Sequence, residues 1–318
     1  MEIDAAHLWN ALVWPLCRLL ASLSVGLMVA NLIETLNWTR HMARLAAPLI
    51  RAGHMQDVVG ASFSMAFFSG LAANTMLAEA YNEKRLTTKE LVLANLFNSL
   101  PTYFLHLPTM FFITAPFIGS AAAIYVGLTL LSAVLRTILV IGLGHFILPP
   151  LPEGCVVCNL TGEKVTLKSA LAKSWKRFKR RIKTIIYFTA PIYVAIYYLN
   201  KLGMFTAIND FVSTHLGFLS WLSPQAVSIV VFHMAAEFTA GLAAAGALLN
   251  SGGLGQKEVV MALLVGNILS SPMRAVRHQF PYYAGIFKPH AAAHLIIANQ
   301  TLRAVSVALV AVGYFYLG

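Results

Sequence analysis

Apolar runs long enough to cross a lipid bilayer recur along the whole chain, separated by short polar stretches. They cover about residues 8–33, 57–80, 89–115 and 119–148 in the first part, and about 183–201, 224–249, 258–272 and 295–317 in the second. A transmembrane helix needs roughly 20 predominantly apolar residues. The pattern therefore predicts an all-α fold, a polytopic transmembrane helical bundle of about 8 spans.

Composition agrees with this prediction. Hydrophobic residues make up 58% of the 318 residues and charged residues only 11%, whereas soluble domains carry roughly 25% charged residues. The acidic start MEIDAAHLWN and Arg18 inside the first run argue against a cleaved signal peptide. We expect a multi-pass protein of the inner (plasma) membrane with the lipid bilayer as its surroundings.

Short motifs recur in the same order in both parts, which predicts an internal two-fold repeat. Three pairs match at separations of 167 to 171 residues: FSMAFFSGLAAN at 63–74 with FHMAAEFTAGLAAAG at 232–246, Lys89-Glu90 with Lys257-Glu258, and Leu135-Arg136 with Leu302-Arg303. We divide the chain into a first repeat (1–148), a basic cytoplasmic loop (149–182) and a second repeat (183–318). The sequence leaves open whether the two repeats are parallel or inverted.

Each repeat contains a helix that a proline is expected to break, within NSLP at 98–101 and SSP at 270–272. Proline lacks the N–H that continues a helix, and non-helical backbone at membrane depth is tolerated only against protein or a wet cavity. Small polar residues flank both breaks and are candidate substrate-binding residues: Asn95, Asn98 and Ser99, with Asn267, Ser270 and Ser271. The alternative is that they only hold helices together.

Charged residues inside predicted spans are costly and therefore informative. Arg274 and Arg277 follow the second break, where the first repeat has no cation, and Glu237 lies within the repeated phrase. One interpretation pairs Glu237 with Arg136 or Arg303 as structural ion pairs. The other makes Arg274 and Arg277 a seat for an anionic or phosphate-bearing group, with Glu237 as a proton or cation partner. These three residues, with Arg136 and Arg303, join the candidate substrate-binding residues.

The loop between the repeats carries much of the net charge of +11. Its basic segment LKSALAKSWKRFKRRIK (167–183) is typical of the cytoplasmic side of a membrane protein, and nothing indicates nucleic-acid binding. Cys155 and Cys158 form a CxxC that could hold one edge of a Zn²⁺ ion, act as a redox pair, or be incidental. A complete Zn²⁺ site would need His145, a symmetry mate or a partner protein, and no other cofactor is expected.

The Gly-Leu-Ala phrases, each followed by a Lys-Glu-initiated run with an Asn/Ser-Pro break, resemble the nucleoside recognition (Gate) domain family. This family occurs in nucleoside transporters, in the membrane part of ferrous iron transporters and in sporulation maturation membrane proteins. The resemblance covers most of both repeats and implies transporter-like architecture without naming a substrate. No GxxxxGK[ST] motif occurs in these 318 residues, so we expect no counterpart of the GTPase domain of the iron transporters.

The sequence thus predicts a transporter-like protein that moves a polar, anionic or nucleoside-like solute through a site at the repeat interface. No enzyme motif accompanies it, since GxSxG, HExxH and paired carboxylates do not occur, and we expect no enzymatic activity. The alternative function is a non-transporting membrane component that recruits or regulates partners through the CxxC loop. Self-association into a homo-oligomer and a cytoplasmic partner both stay open.

Overall fold

The structure, a computed structural model, describes residues 8–35, 46–150, 166–202, 221–236 and 238–317. Every regular element in these ranges is helical, so the fold is all-α. In the first part of the chain, after a π-helical turn at Trp9–Val13, the helices are α1 (Trp14–Thr35), α2 (Ala46–Ala52), α3 (Asp57–Ala66), α4 (Gly70–Asn82), α5 (Thr88–Phe97), α6 (Ser99–Ile118) and α7 (Ala121–Ile147). These elements are called the first half below.

The second part of the chain contains the elements α8 (Leu167–Lys201), α9 (Pro224–Ala236), α10 (Phe238–Asn250), α11 (Gln256–Leu269), α12 (Ser271–Arg274), a π-helical turn at Ala275–Gln279, α13 (Phe280–Phe287) and α14 (Pro289–Leu317). We call these elements the second half. Helix α8 runs without a break through the predicted boundary at residue 182, so the basic segment and the following apolar run form one helix. Helices α7 and α14 are long and apolar enough to cross a membrane.

Two of the predicted single spans, 57–80 and 224–249, are instead helical hairpins. The Ser62 hydroxyl on α3 donates to the carbonyl of Ala73 on α4 (3.0 Å), and Gly241 on α10 lies directly against His233 on α9. These contacts require the chain to double back between α3 and α4 and between α9 and α10. Because a helix of 13 residues is only about 20 Å long, neither arm of a hairpin can cross a bilayer alone. The sequence suggested single spans because both arms are apolar.

The helix after each hairpin begins with the predicted Lys-Glu motif for a local reason. The Glu90 carboxylate accepts from the Thr87 backbone N–H (2.7 Å), and the Thr87 hydroxyl accepts from the Glu90 N–H (3.3 Å). In the second half, Glu258 accepts from the Gly255 N–H (2.9 Å). Both glutamates therefore satisfy backbone donors at the start of a helix, as in a capping box.

These two helices are interrupted where the prolines predict. Helix α5 ends at Phe97 and α6 begins at Ser99, while α11 ends at Leu269 and α12 begins at Ser271. Pro101 lies four residues after Phe97, and Pro272 lies four residues after Ile268. The carbonyls of Phe97 and Ile268 therefore lack the N–H donor that would continue the helix. The interruptions at Asn98 and Ser270 follow directly from this missing donor.

The apolar core is shared between the halves. Its larger cluster joins Phe117 and Tyr125 of the first half to Leu242 and Leu264 of the second, and the Gln256 amide donates to the Ser120 hydroxyl across the same boundary (2.8 Å). A smaller cluster surrounds the first hairpin. The division into repeats therefore describes chain order, whereas the helices of the two halves pack as neighbours.

Candidate functional site

A cavity of about 550 Å³ lies between the two halves, and both contribute to its lining. The first half supplies residues from α4, from the α5–α6 break and from α7. The second supplies residues from α11, the second π-helical turn, α13 and α14. Ligand sites in proteins commonly have 300–1,000 Å³, so the cavity has the size of a small-molecule site.

Six of the predicted substrate-binding residues line this cavity: Asn95, Asn98, Ser99, Arg136, Asn267 and Arg303. Residues up to 208 positions apart in sequence are thereby brought to one place. Ser270, Ser271 and Arg274 lie beside the cavity rather than in its lining. Arg277 belongs to the second π-helical turn, but its side chain falls outside the described part of the structure, as does Glu237 altogether.

Asn267 organises the second-half wall. Its Oδ1 accepts from Arg303 Nη2 (2.9 Å), and its amide nitrogen donates to the Tyr125 hydroxyl of α7 (3.1 Å). Arg274 Nη2 donates to the Asn267 backbone carbonyl (3.3 Å) and to the Ser270 hydroxyl (2.9 Å). The hydroxyl of Ser271 also donates to that carbonyl (2.9 Å). Ser271 and Arg274, which are not in the lining, therefore both contact the backbone of the lining residue Asn267.

Asn95 occupies the matching place in the first half, three residues before the break. Its amide nitrogen donates to Asn74 Oδ1 on α4 (3.1 Å) and to the Tyr283 hydroxyl on α13 (3.3 Å). Asn95 and Asn267 thus each donate to a tyrosine of the opposite half. The two halves are tied together at the cavity by reciprocal hydrogen bonds.

The two cavity arginines occupy matching positions on the last long helix of each half. Arg136 on α7 is 7% exposed, and its Nε donates to the Ser99 hydroxyl (3.1 Å). Arg303 on α14 lies within electrostatic range of Arg274 and Arg136. Within the described ranges, the only side-chain ion pair is the exposed Arg85–Glu83 contact. Neither Arg136 nor Arg303 therefore has a described carboxylate within 4.0 Å, and together they bring two guanidinium groups to the cavity lining.

Several polar residues of the lining were not singled out by the sequence: Asn74, Tyr103, Thr129, Ser132, Gln279, Tyr282, Tyr283 and Asn299. Asn74 closes the repeated phrase at 63–74, so its position in an apolar run was a usable signal. Tyr125 and Tyr283 carried no such signal because tyrosines are common in membrane-protein helices. Only the packing of α7 and α13 against the opposite half reveals their role.

The predicted Zn²⁺ site cannot be placed, because Cys155 and Cys158 lie outside the described residues. His145, a further candidate ligand, donates through Nδ1 to the Ala52 carbonyl (3.0 Å) and lies against His54, with ring centroids 4.3 Å apart. No group of three metal-ligating side chains occurs among the described residues. The Zn²⁺ site stays a prediction.

Sequence comparisons identify three similar proteins of Methanocaldococcus jannaschii. Uncharacterized protein MJ0871 is 27% identical over 278 residues, which cover 86% of this chain and 85% of its own length. MJ0880 is 23% identical and MJ1556 is 25% identical; the matched regions cover 86% and 90% of this chain and 88% and 90% of theirs. No family model and no solved structure matches the chain. The similarity therefore spans both halves, while the names of these relatives state no activity.

Proposed function

We propose that the protein is a multi-pass inner-membrane transporter that moves a polar solute through the cavity between its two halves. One observation carries this proposal: a single cavity, of ligand size, is lined by amide, hydroxyl and guanidinium groups from both halves. Transporters with internal repeats hold their substrate at such an interface, next to discontinuous helices. Here the lining includes Asn98 at one helix break and Asn267 just before the other.

The outer surfaces of the long helices support a membrane location. Large apolar side chains point outward from α7 and α14, among them Leu131, Ile138, Phe146, Ile297 and Leu309, which are between 54% and 87% exposed. Soluble monomers rarely expose contiguous apolar surface of this kind. Lipid contact accounts for it directly.

The hairpins favour a membrane topology with inverted repeats. On the count of described helices, each half crosses the bilayer three times: α1, α5–α6 and α7 in the first, then α8, α11–α13 and α14 in the second. We propose that both hairpins enter the membrane and return to the same side. An odd number of crossings places the second half upside down relative to the first, which is the arrangement of many secondary transporters. This gives six crossings and two re-entrant hairpins instead of about 8 spans.

The resemblance to the Gate family agrees with this architecture and remains a proposal. The alternative function, partner recruitment through Cys155 and Cys158, concerns residues outside the described ranges. Nothing in the described part of the chain favours it over transport.

Alternating exposure of the cavity tests the transport proposal without knowledge of the substrate. We would introduce Asn299→Cys, in the cavity lining, into a variant whose Cys17, Cys155 and Cys158 are replaced by serine. A membrane-impermeant maleimide, which reaches only the outer face of a closed vesicle, should then label Asn299→Cys both in right-side-out vesicles and in inside-out vesicles. Leu131→Cys on the outer surface of α7 is the matched control and should react only with a membrane-permeant reagent. Labelling of Asn299→Cys from one face only, in all conditions, would contradict transport.

A further inference from the structure

The cavity lining carries two chemically different sets of side chains. The cationic set is Arg136 and Arg303, which have no described carboxylate partner, with Arg274 within electrostatic range of Arg303. Burying cations costs free energy unless opposite charge and hydrogen bonds compensate, and like charges in a region of low dielectric repel one another. A bound anion removes both penalties at once, and guanidinium groups pair especially well with carboxylate and phosphate oxygens.

The second set consists of two hydrogen-bond acceptors that have no donor among the described residues. The side-chain oxygens of Asn95 and Asn98 are buried and have no hydrogen-bond partner among the described residues. Both residues line the cavity and are only 3% and 4% exposed. Buried polar atoms in proteins are nearly always hydrogen-bonded, so two orphaned oxygens beside one cavity require a ligand or water to supply donors.

The orientation of both amides is set by their nitrogen atoms. Asn98 Nδ2 donates to the Ser62 hydroxyl (2.7 Å), and Asn95 Nδ2 is engaged by Asn74 and Tyr283. The donor capacity of each amide is therefore directed into the first hairpin and α13. The oxygen of each amide, which accepts from an O–H or N–H group, is left without a donor in its buried position beside the cavity.

We propose that the solute is a small organic anion that also carries hydroxyl or amino groups. Its carboxylate or phosphate lies against Arg136 and Arg303, and its donor groups reach Asn95 Oδ1 and Asn98 Oδ1. A bare inorganic anion leaves the asparagine oxygens without donors, and an uncharged polar solute leaves the arginines without an anion. This inference rests on the proposed function of the cavity as the transport site, and it narrows the substrate class.

Matched ligands test separately whether an anionic group and a hydroxyl group each increase the affinity. We would measure dissociation constants of the purified protein in detergent for glycerol 3-phosphate, glycerol and inorganic phosphate, and for malate beside succinate, which lacks the hydroxyl. In at least one set, the compound with both groups should bind about tenfold more tightly than either compound with one group. Equal affinity within both sets, tighter binding of the uncharged members, or no binding of any probe at 10 mM, roughly ten thousand times a micromolar dissociation constant, would overturn the proposal.

Variants test which side chains contact the anionic group of the ligand and which contact its hydroxyl or amino group. Asn98→Leu should lower the affinity for the hydroxylated anion to that of the plain anion, while the affinity for the plain anion stays unchanged. Arg303→Gln should abolish the advantage of the anionic group and leave the weak binding of the uncharged member. Gln256→Ala, outside the cavity, is the control and should alter neither. Because these readouts are differences between ligands on one folded sample, a general loss of stability cannot imitate them; should Arg303→Gln not fold, Arg136→Gln serves the same purpose. Identical losses for all ligands would contradict the assignment.

The two proposals can fail independently. Labelling of Asn299→Cys from both faces, together with preference for uncharged probes, would retain transport and reject the anionic class. Labelling from one face, together with the expected ligand preference, would retain an anion-binding site and reject transport.

Discussion

Asn95 and Asn267 stand at the same place in the two halves, three residues before a helix break, yet they differ in what their oxygen atoms do. Both amide nitrogens donate to a tyrosine of the opposite half. Asn267 Oδ1 accepts from Arg303, whereas Asn95 Oδ1 has no partner in the described structure. In both halves the hydrogen bond from the amide nitrogen to a tyrosine connects the two halves. The amide oxygen of Asn267 positions the guanidinium group of Arg303, whereas that of Asn95 has no described donor.

This difference shows how two halves with the same order of elements can contribute different chemical groups to one site. The second half carries Arg274 and Arg303 around Asn267, while in the first half the neutral side chain of Asn74 lies against Asn95. The backbone frame is the same in kind, and a few neighbouring side chains decide the chemistry. Three pairs of substitutions at matching positions test how far the halves have diverged.

The largest expected difference is between Asn267→Ala and Asn95→Ala. Loss of Asn267 deprives Arg303 and Tyr125 of a partner, and hydrogen bonds to charged groups contribute about 1.5–3 kcal/mol each. We expect the free energy of unfolding to fall by about 3 kcal/mol for Asn267→Ala. Asn95→Ala removes neutral hydrogen bonds and should cost about 1 kcal/mol. Equilibrium unfolding in detergent measures both, and equal losses would show that Arg303 finds another acceptor.

The two hairpins should respond differently to an added methyl group. A Cβ on Gly241 would lie 2.8 Å from the Cβ of His233 and 3.3 Å from its Cα, whereas a Cβ on Gly70 would meet only the Thr102 hydroxyl at 4.0 Å. Overpacking of this kind costs about 1–3 kcal/mol, so we expect Gly241→Ala to destabilise by about 2 kcal/mol. Gly70→Ala should stay within about 0.5 kcal/mol of the parent protein. The melting temperatures of the two variants compare the hairpins directly, and a tolerant Gly241 would mean that α9 and α10 can separate without loss.

The smallest expected effect concerns the turns that lead into α7 and α14. Gly119 (φ 54°) and Lys288 (φ 68°, ψ 152°) occupy these turns, and the Lys288 conformation is essentially restricted to glycine. Lys288→Gly should therefore stabilise the protein by about 1 kcal/mol, since released strain exceeds the added chain entropy of glycine. Gly119→Ala should destabilise it by about the same amount. Shifts of equal sign in thermal unfolding would show that the two turns do not share this strain.

Much of the fold could be predicted from the sequence because it depends on local chemistry. Apolar runs predict helices, Pro101 and Pro272 predict the interruptions at Asn98 and Ser270, and Glu90 and Glu258 mark helix starts. The hairpins at 57–80 and 224–249 escaped prediction. Whether an apolar stretch of this length forms one helix or two depends on contacts such as Ser62 with Ala73, which only packing creates.

The candidate site divides along the same line. Intramembrane arginines and asparagines beside a break could be singled out from the sequence, because charge and polarity in an apolar run are costly unless they are used. Their partners could not. Tyr125 and Asn267 are 142 residues apart, and periodicity within one helix carries no information about which distant helix it will meet.

By itself, therefore, the sequence determined an all-helical, apolar chain with two interrupted helices and a matched pair of arginines, since each of these follows from interactions within a few residues. The tertiary structure alone decided that Arg136 and Arg303 line one cavity, that Arg274 stands behind it, and that the oxygens of Asn95 and Asn98 are left without donors. The physical reason is that a cavity is what remains between helices after they pack, so its lining depends on the whole set of long-range contacts.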